Sequence, residues 1–354
     1  MRSSAHSTTG QRGFTVVELM VSTTIIALMM VILVQITTQT TNTWRYTTSK
    51  AEQFREARNG FEIMVRRISQ ATLNTYWDYN TNTAGDPLGY IRSSELRFAS
   101  GPMQTGGNKL DSTSSPKRPT HGIFFHAPFG HVSPTASGPD WQKFKGLEGL
   151  LNTWGYYIEV NDDRDLRPPF LKEEHSPYRI RSRLMEMMQP SGAMMSTYYY
   201  TSGQQGRPTT TYKNYAGLDW FRKPLALQGA NDAQQVVSHP LAENIIALVL
   251  LPKLADQDAA EMNMTGSRKD TVLAPEYYYH SGQVGEAASY GSDALLAGAL
   301  NSKHQLPPVV QVTMIAIDET SAQRLNMQTL EDDPLEIQDP TLFTKAEDYK
   351  KDTQ

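Results

Sequence analysis

Gly13-Phe14-Thr15-Val16-Val17-Glu18-Leu19 opens the run whose reading decides the fold, FTVVELMVSTTIIALMMVILV from Phe14 to Val34. Glu18 is its single charge. At about 1.5 Å rise per residue, a helix of this length matches a hydrocarbon layer of ~30 Å, with its backbone hydrogen bonds closed internally. Upstream, MRSSAHSTTGQRG carries Arg2 and Arg12 and no acid, and the next bases downstream are Arg45 and Lys50. The positive-inside tendency keeps the leader cytoplasmic and exports the rest. A cleaved secretory signal needs a shorter apolar core and a small-x-small site, whereas QITTQTTNTW follows Val34. A plain anchor fits the hydropathy but leaves Glu18 unexplained. A carboxylate at membrane depth costs on the order of a few kcal/mol and demands a partner.

With its short basic leader and following apolar helix, Gly13–Leu19 resembles the prepilin-type cleavage and methylation motif of type IV pilins and type II secretion pseudopilins. The resemblance implies that a prepilin peptidase cuts after Gly13 on the cytoplasmic side and that the new amine of Phe14 is N-methylated. It also implies that Glu18 compensates the N-terminal ammonium of a neighbouring subunit in a filament. Each role has a physical logic. A residue without a side chain enters a tight proteolytic site, and a buried charge is tolerated when paired.

The bulk composition excludes rather than names. There is no cysteine, which removes disulfides, thiolate metal sites and cysteine nucleophiles. With 33 Lys plus Arg against 37 Asp plus Glu, the chain lacks the basic surplus of a polyanion binder. A hydrophobic fraction of 39% in 354 residues suffices for a packed core and about two domains.

Beyond a Thr-rich stretch, Thr37–Thr43, of modest helix propensity and a natural place to bend, a helical stripe resumes. Phe54, Phe61 and Ile68 recur every seven residues, with Ala57, Met64, Val65, Ala71 and Thr72 filling the same face. One long helix from about Phe14 to Leu73 is expected. Candidate strands follow at Leu96–Ala99, Ile123–His126, Tyr156–Val160, Tyr178–Met187, Ile245–Leu251 and Val309–Ile317. Long polar loops separate them at Gly101–Thr120, Pro190–Gly217 and Gln257–Ser302. Leu241-Ala-Glu-Asn-Ile245 with its following strand, the Pro-introduced Leu306–Met314, and the helix Arg55–Ala71 are similar to minor pseudopilin J of type II secretion. The whole also resembles the pseudopilin-like C proteins of the Verru/Chthon cassette.

Catalytic signatures are missing: no G-x-S-x-G, no G-x-x-x-x-G-K-[ST], no H-E-x-x-H. His121, His126 and His131 are five apart, so strand geometry sends His121 and His126 to opposite faces and disfavours a shared metal. Asp162, Asp163 and Asp165 in NDDRD are a weak Ca²⁺ candidate. They lack the glycine and terminal Glu of an EF-hand loop, and Arg164 sits among them, so a hairpin turn is the simpler reading. Tyr198–Tyr200, Tyr212, Tyr215, Trp220 and Phe221, interleaved with Arg207, Lys213, Arg222 and Lys223, suit a loop folded over the sheet. Protein contact comes second and single-stranded nucleic acid third.

The expectation is therefore an α+β, pilin-like chain: a long N-terminal helix, transmembrane in its first half, packed on an antiparallel β-sheet head with long loop insertions. The boundaries are a cleaved leader 1–13, helix 14–75 with its membrane span 14–34, a periplasmic β-rich head 76–318, and an acidic flexible tail 319–354. The function implied is structural rather than enzymatic: a minor pilin or pseudopilin of the bacterial inner membrane, without a cofactor. Its partners are prepilin peptidase, sister subunits and inner-membrane lipid, with nucleic acid disfavoured. The rivals are a membrane-tethered periplasmic binding module or hydrolase, and a DNA-uptake or adhesive pilin.

Overall fold

The computed structural model describes residues 13, 15–82, 84–113, 116–131, 149–164, 167–168, 178–189, 218–226, 237–262, 264–282, 302–325, 327, 329, 332–337, 339 and 341–353. By internal contacts the chain divides into residues 1–52 and 53–354. The first unit is helical from Val16 onward. Helix α1, Val16–Ile68, starts there and ends in the second unit. The Thr-rich stretch expected to bend is helical throughout. Thr37, Thr38, Thr41, Thr43 and Thr47 donate their hydroxyls to carbonyls four residues back at 2.8–2.9 Å, which satisfies the polar groups without leaving the helix.

The second unit is built on a six-stranded antiparallel sheet in the order β7-β6-β5-β4-β3-β9. Its strands are β3 (Phe98–Pro102), β4 (His121–Ala127), β5 (Asn152–Asn161), β6 (Arg181–Gln189), β7 (Val237–Glu243) and β9 (Tyr279–His280). A second, two-stranded sheet pairs β8 (Ile245–Lys253) with β10 (Val309–Ala316), and a third pairs β1 (Tyr76–Thr81) with β2 (Pro87–Ser93). All six expected strands are present. β1, β2, β7 and β9 are additional. β1 and β2 escaped because Trp77, Tyr79, Leu88 and Tyr90 are exposed, so the hairpin carries no alternation of buried and solvated positions.

Period-two alternation gives the large sheet two apolar faces. On one face Phe98, Ile123, Phe125, Trp154, Tyr156 and Leu184 meet Ala57 and Met64 of α1 and Leu248 and Leu250 of β8. On the other, Ala99, Phe124, Tyr157 and Met187 meet Trp220, Phe221 and Leu225 of helix α2, Asp219–Ala226. Short helices α3 (Asp256–Glu261) and α4 (Ser267–Thr271) lie in the expected loop after β8, around a small apolar cluster with Met264, Val272 and Leu273.

β7 and β8 are nearly continuous in sequence yet belong to different sheets. Asn244, at φ +56°, supplies the bend between them. β8 closes its free edge with side chains. The Leu248 amide donates to Thr120 Oγ1 at 3.2 Å, and the Leu250 amide to His121 Nδ1 at 3.0 Å.

Two expectations need correction. Phe54, expected on the buried stripe, is 80% exposed, whereas Ala57 and Met64 are buried and Phe61 and Ile68 partly so. A seven-residue repeat drifts by about 20° per heptad on a 3.6-residue helix, and the seam has turned away by Phe54. The tail from residue 319 is not simply solvated. It forms α5 (Glu319–Leu325), a 3-10 turn at Ala346–Asp348 and α6 (Tyr349–Asp352), and it buries Phe343 and Ala346 against Ala247, Val249 and Tyr277. Phe343, Ala346 and Tyr349 recur at helical spacing, giving even this acidic segment one apolar edge.

Candidate functional site

Ahead of α1, Gly13 is exposed, while Phe14 lies outside the described residues. Thr15 and Glu18 form a reciprocal cap. The Glu18 amide donates to Thr15 Oγ1 at 3.3 Å, and Glu18 Oε2 accepts from the Thr15 amide and hydroxyl, each at 3.1 Å. This is a capping box, which satisfies helix-end donors that have no carbonyl four residues back. Glu18 thus has a partner within its own chain, and its negative charge lies at the positive end of the helix dipole. The sequence reading missed Thr15, although the T-x-x-E signal was there to find. Thr15→Ala should weaken the helix end by about 1 kcal/mol, roughly a fivefold gain in opening. The check is faster amide exchange at Glu18 and Leu19, whose N–H groups donate to Thr15, in detergent-solubilised protein.

Past the cap the helix is apolar all round. Leu19, Met20, Ile26, Leu28, Met29, Met30 and Leu33 are each at least 60% exposed. Full burial of such a side chain gains about 1.5–3 kcal/mol, so the bare face calls for lipid or other helices. The helix is long and apolar enough to cross a membrane.

Residues 8–34 match the family model of the prokaryotic N-terminal methylation motif. No curated protein and no solved structure matches the chain. The matched segment contains Gly13, the capping pair and the apolar run together. It supports a prepilin-type protein, type IV pilin-like or a pseudopilin, processed by prepilin peptidase and assembling with other pilins. With the one helix among the described residues that is long and apolar enough to cross a membrane, it also supports a single-pass membrane anchor. The motif points to a structural role rather than an enzyme.

Helix α1 docks on the sheet through small contacts backed by one ion cluster. A Cβ on Gly60 would stand 3.3 Å from Ala242 Cβ, so glycine lets the helix approach β7 closely. The Glu243 amide donates to Glu56 Oε1 at 2.9 Å. In the last turn, Arg67 pairs with buried Glu186 and lies 4.5 Å from the Trp154 ring centre. Glu186 also accepts from the Tyr156 hydroxyl at 2.7 Å, and His239 Nε2 lies 3.3 Å away. Burial alone would push the Glu186 carboxyl up. Hydrogen bonds from His239, Tyr156 and Arg67 outweigh it and hold the carboxyl below the usual range.

The remaining candidates divide. His121 and His126 are buried on opposite faces as expected; each is pushed down to about 4 by burial, hence neutral near pH 7. His121 accepts from Leu250 and donates from Nε2 to the Phe343 carbonyl at 2.9 Å, a structural use of both nitrogens. Asp163 accepts from the Arg179 amide at 3.0 Å and pairs with Arg167 at 3.0 Å, while Asp162 lies 3.5 Å from Arg164. Asp165 lies outside the described residues, among which no group of His, Asp and Glu is placed to hold a metal. Rather than a tight hairpin, Asp162 and Asp163 begin a long connection from β5 to β6. Of the aromatic loop, Trp220 and Phe221 are buried over the sheet; Tyr198–Tyr200, Arg207, Tyr212, Lys213 and Tyr215 lie outside the described residues.

Proposed function

We propose that the chain is a minor pilin or pseudopilin, a structural subunit of a type IV pilus-like or type II secretion-like filament. Prepilin peptidase cuts it after Gly13 at the cytoplasmic face of the bacterial inner membrane, and the amine of Phe14 is N-methylated. The head stands in the periplasm, and the apolar half of α1 packs among sister helices. The observation that carries this reading is a capped helix start whose residues match the methylation motif and whose apolar side chains are bare in the single chain.

Glu18 exchanges its own Thr15 donors for the ammonium of a neighbour, a pairing tolerated in a low-dielectric bundle. The head is large, and large heads crowd a helical lattice, which favours an end position in the filament over a repeated one. The similarity to minor pseudopilin J rests on the Leu241–Ile245 run, which leads into β8, and on the Pro-introduced strand β10.

Peptide mass spectrometry of the membrane-extracted protein tests this, with and without active peptidase. The expected chain begins at N-methylated Phe14 only when the peptidase is present. A chain that still begins at Met1, or near residues 35–45, overturns the proposal. Glu18→Ala is expected to leave cleavage intact and to abolish recovery of the subunit in sheared filaments. If that variant functions normally, and so does a head cut free near Thr75, the protein is a tethered binding module or hydrolase instead.

A further inference from the structure

A strand at the edge of a sheet presents a row of backbone donors and acceptors to which another strand can pair. The head guards its other edges. At the ends of the large sheet, β9 is only two residues long, and β7 carries Pro240 and gives its Glu243 amide to Glu56. The free side of β8 is closed by Thr120 and His121. The hairpin β1–β2 carries Asp78 and Arg92 and breaks register between Asn80 and Thr81. β10 lacks such protection. Its sequence, VVQVTMIA, holds no charge and no proline, and it stays in register with β8 from Val309 to Ile315. β8 lies on one side of it. Among the described residues no strand lies on the other, and no backbone group of β10 bonds outside that pair. Every residue of β10 is exposed or half-exposed, whereas β8 is buried along most of its length.

Symmetry and the missing charge decide what fits this edge. Two copies of one strand related by a twofold axis run antiparallel, so outward N–H groups of each meet carbonyls of its twin. Like charges set opposite one another would oppose that pairing, and β10 has none. Both rims of the strand are half-buried and apolar. Val310, Val312 and Met314 pack on the cluster that holds Met64, and Ile315 lies with Leu342 and Tyr349 on the other side. A second copy would cover both rims further. It would also join the two-stranded sheet of each copy into one of four strands, past the size at which a sheet is marginal. We propose that the head dimerises through β10, edge to edge and antiparallel with the β10 of a second copy of this chain. The inference concerns the head alone and does not rest on the filament reading.

The test uses the full chain in neutral detergent, with its mass read by sedimentation over a range of concentrations. The wild-type chain should pass from monomer to dimer. Thr313→Lys, near the middle of β10, sets two ammonium groups against each other in the dimer and should raise its dissociation constant about tenfold or more. Thr313→Val loses the same hydroxyl contact with Tyr349 without adding charge, and should dimerise like the wild type. Because the chain has no cysteine, Thr313→Cys can be joined to its twin by a bismaleimide, whereas Tyr90→Cys, exposed on β2, should stay unlinked. Circular dichroism checks that each variant is folded. A chain that stays monomeric, a dimer that Thr313→Lys leaves as tight as before, or one that Thr313→Val weakens equally overturns the proposal. Equal cross-linking of the two cysteine variants overturns it as well.

Discussion

Trp220→Ala should lower the stability of the head by about 3–5 kcal/mol, the range for deleting a fully buried large aromatic. Trp220 is completely buried on α2, with its ring 4.7 Å from His126 and 4.9 Å from Phe221. Phe221 in turn stacks on Phe124 of the central strand β4, with ring centres 4.0 Å apart and planes at 8°. One short helix thus covers the middle of a sheet face, and truncating its largest side chain leaves a cavity that a rigid sheet cannot close. The indole nitrogen has no partner among the described residues. Trp220→Phe therefore removes an unmet donor as well as volume, and should cost markedly less than alanine. Urea unfolding of the detergent-solubilised chain separates the two. Equal losses from both variants would mean that the indole does not fill the face as described.

Arg67→Ala is expected to cost about 2–3 kcal/mol, because it leaves the Glu186 carboxylate buried with one fewer charged donor. Glu186 is 3% exposed at its side chain and keeps Tyr156 and His239, so the loss stays below that of a wholly stranded charge. Its depressed pKa fixes the sign of the pH dependence. The carboxylate's contribution is complete above the ordinary value of 4.5 and is lost as the pH falls through the lowered folded value. The gap between wild type and Arg67→Ala should therefore be full at pH 7 and narrow on acidification below about 4.5. Glu186→Gln in the Arg67→Ala background should restore part of the stability. A gap that does not change with pH would show that Arg67 acts by packing on Trp154 alone.

How much was legible beforehand follows from where each signal resides. Six strands were readable because their residues are buried on a two-residue or continuous pattern, as in Ile123–Phe125. The exposed hairpin β1–β2 has the same β-forming residues without the burial pattern, so nothing distinguished it from a loop. Phe54 misled because a seven-residue repeat drifts on a 3.6-residue helix, and the tail because its acidic composition masked the apolar edge of Phe343, Ala346 and Tyr349. The NDDRD segment read as a turn because carboxylates and a guanidinium in sequence look alike whether they bind an ion or one another, and Arg179, a distant residue, supplies one of the bonds.

By itself the sequence determined what depends on neighbours along the chain: the apolar run, its charge asymmetry, the glycine before Phe14, and the T-x-x-E spacing that caps the helix. All of them lie along one continuous stretch of chain, within reach of a one-dimensional pattern. Tertiary structure alone decided which histidine nitrogens close the edge of β8, that Arg67 meets Glu186, and that α2 seals one sheet face. Each of those joins residues tens to hundreds of positions apart, and only the packing of the sheets brings them within bonding distance.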